Sequence, residues 1–178
     1  LYCDPFEVPD YWFVINGMDF GWDHPQAHIQ LVWDRDADVY YVINCWKGSK
    51  KQPYEAWHII KQWAQNVPTA WPSDGLQTEK GSGKTQASYY EEAGFRLLPE
   101  HAQWEDGGNS VWAGIQFIDD LIKTGRLRVV RTLRPFFEEF RQYHTKTTKA
   151  GKVEIIKSKD DLMDALRYAI MMVRYSIR

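Results

Sequence analysis

The stretch VINGMDFGWDHPQAH, from Val14 to His28, decides the fold of this 178-residue chain. A β-prone apolar run, Tyr11 to Ile15, leads into Gly17, Met18 and Asp19. Phe20, Gly21, Trp22 and a His-Pro pair then turn the backbone towards a second apolar run. On a strand's period of two, Asp19 shares a face with Phe13, Ile15 and Gly17. Its carboxylate would be desolvated beside apolar groups unless a cation neutralised it. Two readings stand here: Asp19 opens the turn after the strand, or it presents a carboxylate to a metal ion.

Outward from that stretch, Ala27 to Trp33 alternates as a strand, the DRDAD of Asp34 to Asp38 makes a turn, and Val39 to Trp46 is β-prone again. A three-strand meander results. Pro53 opens a helix through Gln65, with Trp57, Ile60 and Trp63 at helical spacing. Thr69 to Pro72 reads as a short fourth strand that ends in Ser73, Asp74 and Gly75, so a second carboxylate stands where a strand gives way to a loop. A polar loop from Leu76 to Lys84 precedes a helix stopped by Gly94, and Phe95 to Leu98 reads as a fifth strand.

Asn109 or Ser110 caps the next helix, whose buried stripe is Val111, Ile115, Ile118 and Ile122. Leu127 to Arg131 is β-like, and Pro135 starts a helix carrying Phe136, Phe137, Phe140 and Tyr143 as packing residues. Thr145 to Ile156 reads as a hairpin turning at Ala150 and Gly151 and bearing Lys146, Lys149 and Lys152. Those lysines either guard a solvated edge or lie along a phosphate backbone. The last helix runs from about Asp160 to Ile177, capped by Ser158, with Leu162, Leu166, Ala169, Ile170, Val173 and Ile177 buried. Alternating strands and helices after a meander define an α/β protein, a mixed sheet flanked by helices, in one domain.

Composition bounds the function without choosing it. A 44% hydrophobic content supports a substantial core, and 22 Lys+Arg against 24 Asp+Glu leave any nucleic-acid affinity to local charge placement. Two cysteines, Cys3 and Cys45, make neither a disulfide framework nor a zinc site, which suits a reducing compartment. No apolar run is long enough to span a bilayer, so no membrane partner is expected. The opening residues 1–10 read as the tail of a linker entering the domain.

The last helix adds to the acids. Asp161 and Asp164, three apart, project from neighbouring positions on the side of Tyr168 and repel one another unless a cation lies near. Each acid alone has a structural explanation, Asp161 above all as a first-turn helix acid. Together, Asp19, Asp74 and the helix pair suit phosphodiester hydrolysis by two divalent metals, Mg²⁺ or Mn²⁺ held by hard carboxylate oxygens. Other motifs fail on inspection. GSGKT, Gly81 to Thr85, lacks the first glycine of a P-loop because position 78 is Thr78. DRDAD begins like a calcium loop but has Val39 at the glycine position and Cys45 at the bidentate-glutamate position. His24 and His28 are four apart, yet Pro25 opposes a helix between them.

Four stretches carry a family resemblance: DFGWDHPQAHIQ at Asp19 to Gln30, AWPSDG at Ala70 to Gly75, the pair GGNSVWAGI and FFEEFRQYH, and DDLMDALRYAIMM at Asp160 to Met172. In order and content the chain resembles the C-terminal nuclease domain of the large terminase subunit of tailed double-stranded DNA phages, particularly the headful-packaging type of short-tailed enteric phages. The resemblance implies a ribonuclease-H-like fold and a metal-dependent, largely sequence-nonspecific endonuclease that cuts concatemeric double-stranded DNA in the host bacterial cytoplasm. It assigns Asp19, Asp74, Asp161 and Asp164 as catalytic metal ligands, and places Asn16 where near relatives are expected to carry an acid. It also implies a portal protein and a small terminase subunit as partners of the full-length protein, an ATPase motor domain absent from this chain, and a monomer for the isolated domain. Lys80, Lys84, Lys146, Lys149 and Lys152 are the expected phosphate contacts. The competing expectations are a noncatalytic docking module of a packaging motor and a resolvase or transposase on the same fold.

Overall fold

The computed structural model describes residues 1–142, 144–147, 151, 153–156 and 160–178, with the backbone alone for 144–147 and 153–156. Six strands form a mixed sheet: β1 (Tyr2–Cys3), β2 (Phe13–Asp19), β3 (Gln26–Asp34), β4 (Val39–Gly48), β5 (Thr69–Ala70) and β6 (Leu127–Val130), in the order β1-β6-β4-β3-β2-β5. The meander of β2, β3 and β4 is antiparallel, with a register shift between Gln30 and Leu31, while β5 joins β2 and β6 joins β4 in parallel. Strands β2, β4, β5 and β6 therefore run the same way. Their C-terminal ends share one edge of the sheet.

Helices cover both faces. Helices α1 (Pro53–Ala64) and α2 (Gln86–Ala93) lie on one side; α3 (Val111–Lys123), α4 (Arg134–Gln142) and α5 (Asp161–Met171) lie on the other. Ile15, Ile29, Leu31 and Val42 pack with Leu162, Ala165, Leu166 and Ala169 of α5, whereas Met18 packs with Ala56, Ile60 and Tyr90. The alternation along β2 thus turns Ile15, Gly17 and Asp19 towards α5, and Asn16 and Met18 towards α1 and α2. Gly17 is the contact point: a β-carbon there would collide with the Ala165 carbonyl oxygen and reach within 3.0 Å of the Ala169 methyl.

The structure corrects several expected elements. Residues expected to be linker contribute the edge strand β1, where Val129 and Arg131 donate to the Leu1 and Cys3 carbonyls at 2.8 Å. The fourth strand shrinks to Thr69–Ala70 because Pro68 and Pro72 bracket it and neither has an N–H to donate. The expected fifth strand, Phe95 to Leu98, reduces to a single bridge between Leu97 and Thr69. In α3 the buried residues are Gly114, Ile118 and Leu121, a stripe rotated from the expected one because Gly114 packs on α5.

Helix α5 stops at Met171 and a 3-10 turn follows at Val173–Tyr175. Ile177 then pairs with Val14, whose backbone groups the short β5 leaves open. The hairpin is present as β7 (His144–Thr147) and β8 (Val153–Ile156), antiparallel, and Lys146 lies on β7. Tyr143, Lys149, Ala150, Lys152 and the expected cap Ser158 lie outside the described residues.

Replacing Gly17 by Ala should lever α5 off the sheet. The expected loss is about 3 kcal/mol, the upper end for overpacking, or about 6 to 12 °C in Tm for a chain of this size, measured by thermal unfolding.

Candidate active site

The four predicted acids arrive from three directions at one end of the molecule. Asp19 is the last residue of β2, and Asp74 sits in a 3-10 turn, Ser73–Leu76, directly after β5. Asp161 is the first residue of α5 and Asp164 lies in its first turn. Gly75 lets the Asp74 turn close on the strand end: a β-carbon there would stand 2.7 Å from the Trp71 ring and 2.8 Å from the Phe20 ring. The edge formed by parallel strand ends is thus capped by the N-terminus of a helix.

Charge records how close the acids come. Burial, followed by repulsion from Asp164, Asp161 and Asp74, pushes the Asp19 carboxyl up to about 8, and Arg167 only partly offsets this. Burial also raises Asp161, opposed by Lys47 and His24. Burial and the nearby Asp19 raise the phenols of Tyr90 and Tyr168 well above the ordinary range. Among the described residues no three His, Cys, Asp or Glu side chains are grouped as a ready metal cage. The four carboxyls share one field without converging on a point.

A cation is built into the cluster. Arg167, 4% exposed, donates to Asp164 Oδ1 at 3.0 Å and lies over the Tyr168 ring, 4.8 Å from its centroid. Its stem occupies the space left by Gly114, where a β-carbon would stand 2.5 Å from Cδ. Asn16 is buried on the opposite face of β2 and joins none of this. His28 is also buried away from solvent, hydrogen-bonded to Gln26 Oε1 at 2.9 Å, and burial lowers it to about 3, so it stays neutral.

The loop residues have other partners. Lys84 pairs with Glu92 at 3.0 Å beside Tyr89, and lines a cavity of about 460 Å³ with Trp22, Lys51, Gln77 and Tyr90. Lys80 is exposed on the same loop. The glycine-rich segment bonds to itself, Glu79 N–H to the Lys84 carbonyl at 2.9 Å and Gly83 N–H to the Glu79 carbonyl at 3.3 Å. The DRDAD segment is a turn in which Ala37 N–H donates to Asp34 and Asp38 pairs with Arg126.

Sequence reasoning missed Arg167, Lys47, Tyr90 and Glu139. Glu139 left a signal, since it stands three residues after Phe136 on the buried face of an aromatic helix. Arg167 left one too, at the spacing that pairs it with Asp164. Lys47 and Tyr90 left none, because their neighbours come from elements distant in sequence.

Residues 16–173 match the family described as the terminase RNaseH-like domain. The chain belongs to this family. It is 52% identical over 174 residues to the large terminase subunit of Salmonella phage P22, a match covering 98% of this chain and 34% of that protein. The chain spans about a third of the length of the curated relatives it matches. Among solved structures, the P22 large terminase nuclease domain superposes with a TM-score of 0.89 at 51% identity, covering 98% of this chain and 88% of that one. The nuclease domain of the phage SPP1 large terminase, solved with bound Mn, gives a TM-score of 0.65 at 20% identity, covering 90% and 86%. That of the thermophilic phage G20c, solved with bound magnesium, gives 0.62 at 15% identity, covering 95% and 91%. The last two show the shared fold, a ribonuclease-H-like mixed sheet between helices.

Because Asp19 holds its proton more tightly folded than unfolded, the folded state binds the extra proton between the ordinary carboxylate range and about pH 8. Stability from this source is lost as pH rises through that window, and Asp161 acts in the same direction. His28, which burial keeps neutral, acts in the opposite direction below the ordinary His range, so the comparison runs from about pH 7 upwards. The metal-free protein should melt lower near pH 8 than near about pH 7, and Asp19→Asn should flatten that slope, read from Tm.

Proposed function

We propose that this chain is a metal-dependent endonuclease that hydrolyses phosphodiester bonds of double-stranded DNA, with Asp19, Asp74, Asp161 and Asp164 holding two divalent ions, Mg²⁺ or Mn²⁺. The observation that carries the proposal is the delivery of four carboxyls to one end of the sheet, Asp19 at the end of β2, Asp74 in the turn after β5 and Asp161 with Asp164 in the first turn of α5, where burial and mutual repulsion oppose ionisation of Asp19. Such repulsion is relieved by a divalent cation. The donors fit the group, since all four are hard oxygen ligands of the kind Mg²⁺ and Mn²⁺ prefer. Bound Mn and Mg in the SPP1 and G20c nuclease domains support the same choice.

Bound there, two such ions would supply Lewis-acid activation of water and stabilisation of the leaving 3′-oxygen. The protein's own groups do the rest. Asp19, at the end of β2, would hold metal together with Asp74 and the helix pair. Arg167 restrains Asp164, so that its carboxylate is oriented before a cation enters. Lys84 and Lys51, which line the cavity beside Tyr90, and the exposed Lys80 of the same loop as Lys84 are assigned as phosphate contacts, and the hairpin lysines Lys146, Lys149 and Lys152 are assigned to the same backbone. Backbone contacts of this kind position a duplex without reading bases, as cutting of concatemers in headful packaging requires. In the full-length protein we assign a portal protein and a small terminase subunit as partners and the host cytoplasm as the place of action.

Asp19→Asn and Asp74→Asn should each lower Mn²⁺-dependent plasmid cleavage by at least about 100-fold, beyond the loss typical for a residue one shell further out. Circular dichroism should show the fold unchanged. Mn²⁺ should raise the wild-type Tm by mass action, and Asp19→Asn should abolish that shift. Near-normal cutting by a folded Asp19→Asn protein would refute the site.

A further inference from the structure

We propose that Glu139 is a positioning residue of this site: from helix α4 it caps the N-terminus of α5, and, held in turn by Lys47 of β4, it sets where Asp161 and Asp164 stand against Asp19. The proposal rests on the metal-site reading above.

Glu139 is 2% exposed, so its carboxylate is costly unless both oxygens are engaged. Both are. Oε1 accepts the Met163 N–H at 2.7 Å, and Oε2 accepts Lys47 Nζ at 3.2 Å. Burial raises the carboxyl, and the Met163 and Leu162 amides together with Lys47 oppose that rise. A carboxylate at a helix N-terminus meets amides that have no partner inside the helix and the positive end of its dipole.

The place of this cap matters more than its strength. In the order Asp161, Leu162, Met163, Asp164, the two amides that face Glu139 lie between the two acids. With about 1.5 Å of rise and about 100° of turn per residue, any slide or roll of α5 at this anchor moves both carboxylates together. Gly17 sets how near α5 comes to β2. Glu139 supplies the axial stop. Lys47 fixes Glu139 from the sheet and also attracts Asp161, so strand β4 is tied through one carboxylate to the helix bearing the acids.

The test uses the 178-residue chain, with Mn²⁺ as the probe, free Mn²⁺ read by electron paramagnetic resonance, plasmid cleavage resolved into kcat and KM, and Tm. Glu139→Gln retains an oxygen able to accept from Met163 but turns an amide N–H₂ instead of a carboxylate oxygen towards Lys47 Nζ, so it should lose some Mn²⁺ affinity and kcat, less than about tenfold and less than the Asp variant. Glu139→Asp keeps the charge but withdraws the oxygen by one methylene, and should lower both by about tenfold or more, with KM for DNA little changed. The double variant Lys47→Met with Glu139→Leu exchanges a buried ion pair for apolar groups, a change that is often neutral for stability. It also removes the acceptor of the Met163 N–H, so it should melt a few degrees below the wild type, as for a lost helix cap, and lose about 10- to 100-fold in Mn²⁺ affinity. Folded Asp and double variants that bind Mn²⁺ and cut like wild type overturn the proposal, as does a Gln variant as impaired as the Asp one. If the double variant does not fold, the comparison of Gln with Asp decides alone. A wild type that binds no Mn²⁺ overturns the metal site and this proposal with it, whereas Mn²⁺ binding shared by every Glu139 variant removes only the role of Glu139.

Discussion

Helix α5 meets strand β2 at backbone distance because residue 17 has no side chain; the Ala165 carbonyl and the Ala169 methyl occupy the space a β-carbon would need. Two residues further along β2 stands Asp19, and one turn towards the start of α5 stand Asp161 and Asp164. The helix buries eight of its eleven residues, Leu162 to Met171 without Asp164 and Tyr168, so it is buried nearly all round and belongs to the core. Core packing and the gathering of acids are one event. A change that loosens the first scatters the second.

That arrangement sets stability against charge. The apolar body of α5 is held by the largest cluster of buried side chains, while its N-terminal turn adds carboxylates to a place where Asp19 already resists ionising. Arg167 relieves part of the repulsion at Asp164, and Lys47 part of it at Asp161. Both cations are themselves anchored, Arg167 by the gap at Gly114 and the Tyr168 ring, and Lys47 by Glu139. Strained electrostatics held by a rigid scaffold is the condition under which a site is ready for a cation before one arrives.

The direction of the strands explains why the acids meet where they do. Strands β2, β4 and β5 end at one edge, so Asp19, Lys47 and the Asp74 turn are neighbours along it, and the N-terminus of α5 closes the edge from the α3 to α5 side. On the other side Tyr90 and Phe20 meet edge to face, joining α2 and the Lys84 loop to the Asp19 turn. The cavity with Trp22, Lys51 and Lys84 lies on that side, lined by Tyr90 and by Gly21 of the turn after Asp19, and by none of the four aspartates.

Much of this was legible from local pattern. Period-two alternation placed Asp19 with Ile15 and Gly17, Gly94 and Ser110 marked helix ends, and the spacing of Asp161 and Asp164 put them on one turn, because backbone geometry repeats over a few residues. Edges and ends were not legible. Whether residues 2 and 3 form a strand depends on β6 offering its edge more than a hundred residues later, and Ile177 leaves the helix because Val14 needs a partner. The sequence by itself determined the β2 to β4 meander, helices α1 to α5 and the acids that stand after β2, after β5 and at the start of α5, since those follow from the pattern of neighbouring side chains. Only the tertiary structure decided that Arg167, Lys47 and Glu139 belong beside those acids, because a buried charge is placed by whatever long-range partner satisfies it, and no local pattern names that partner.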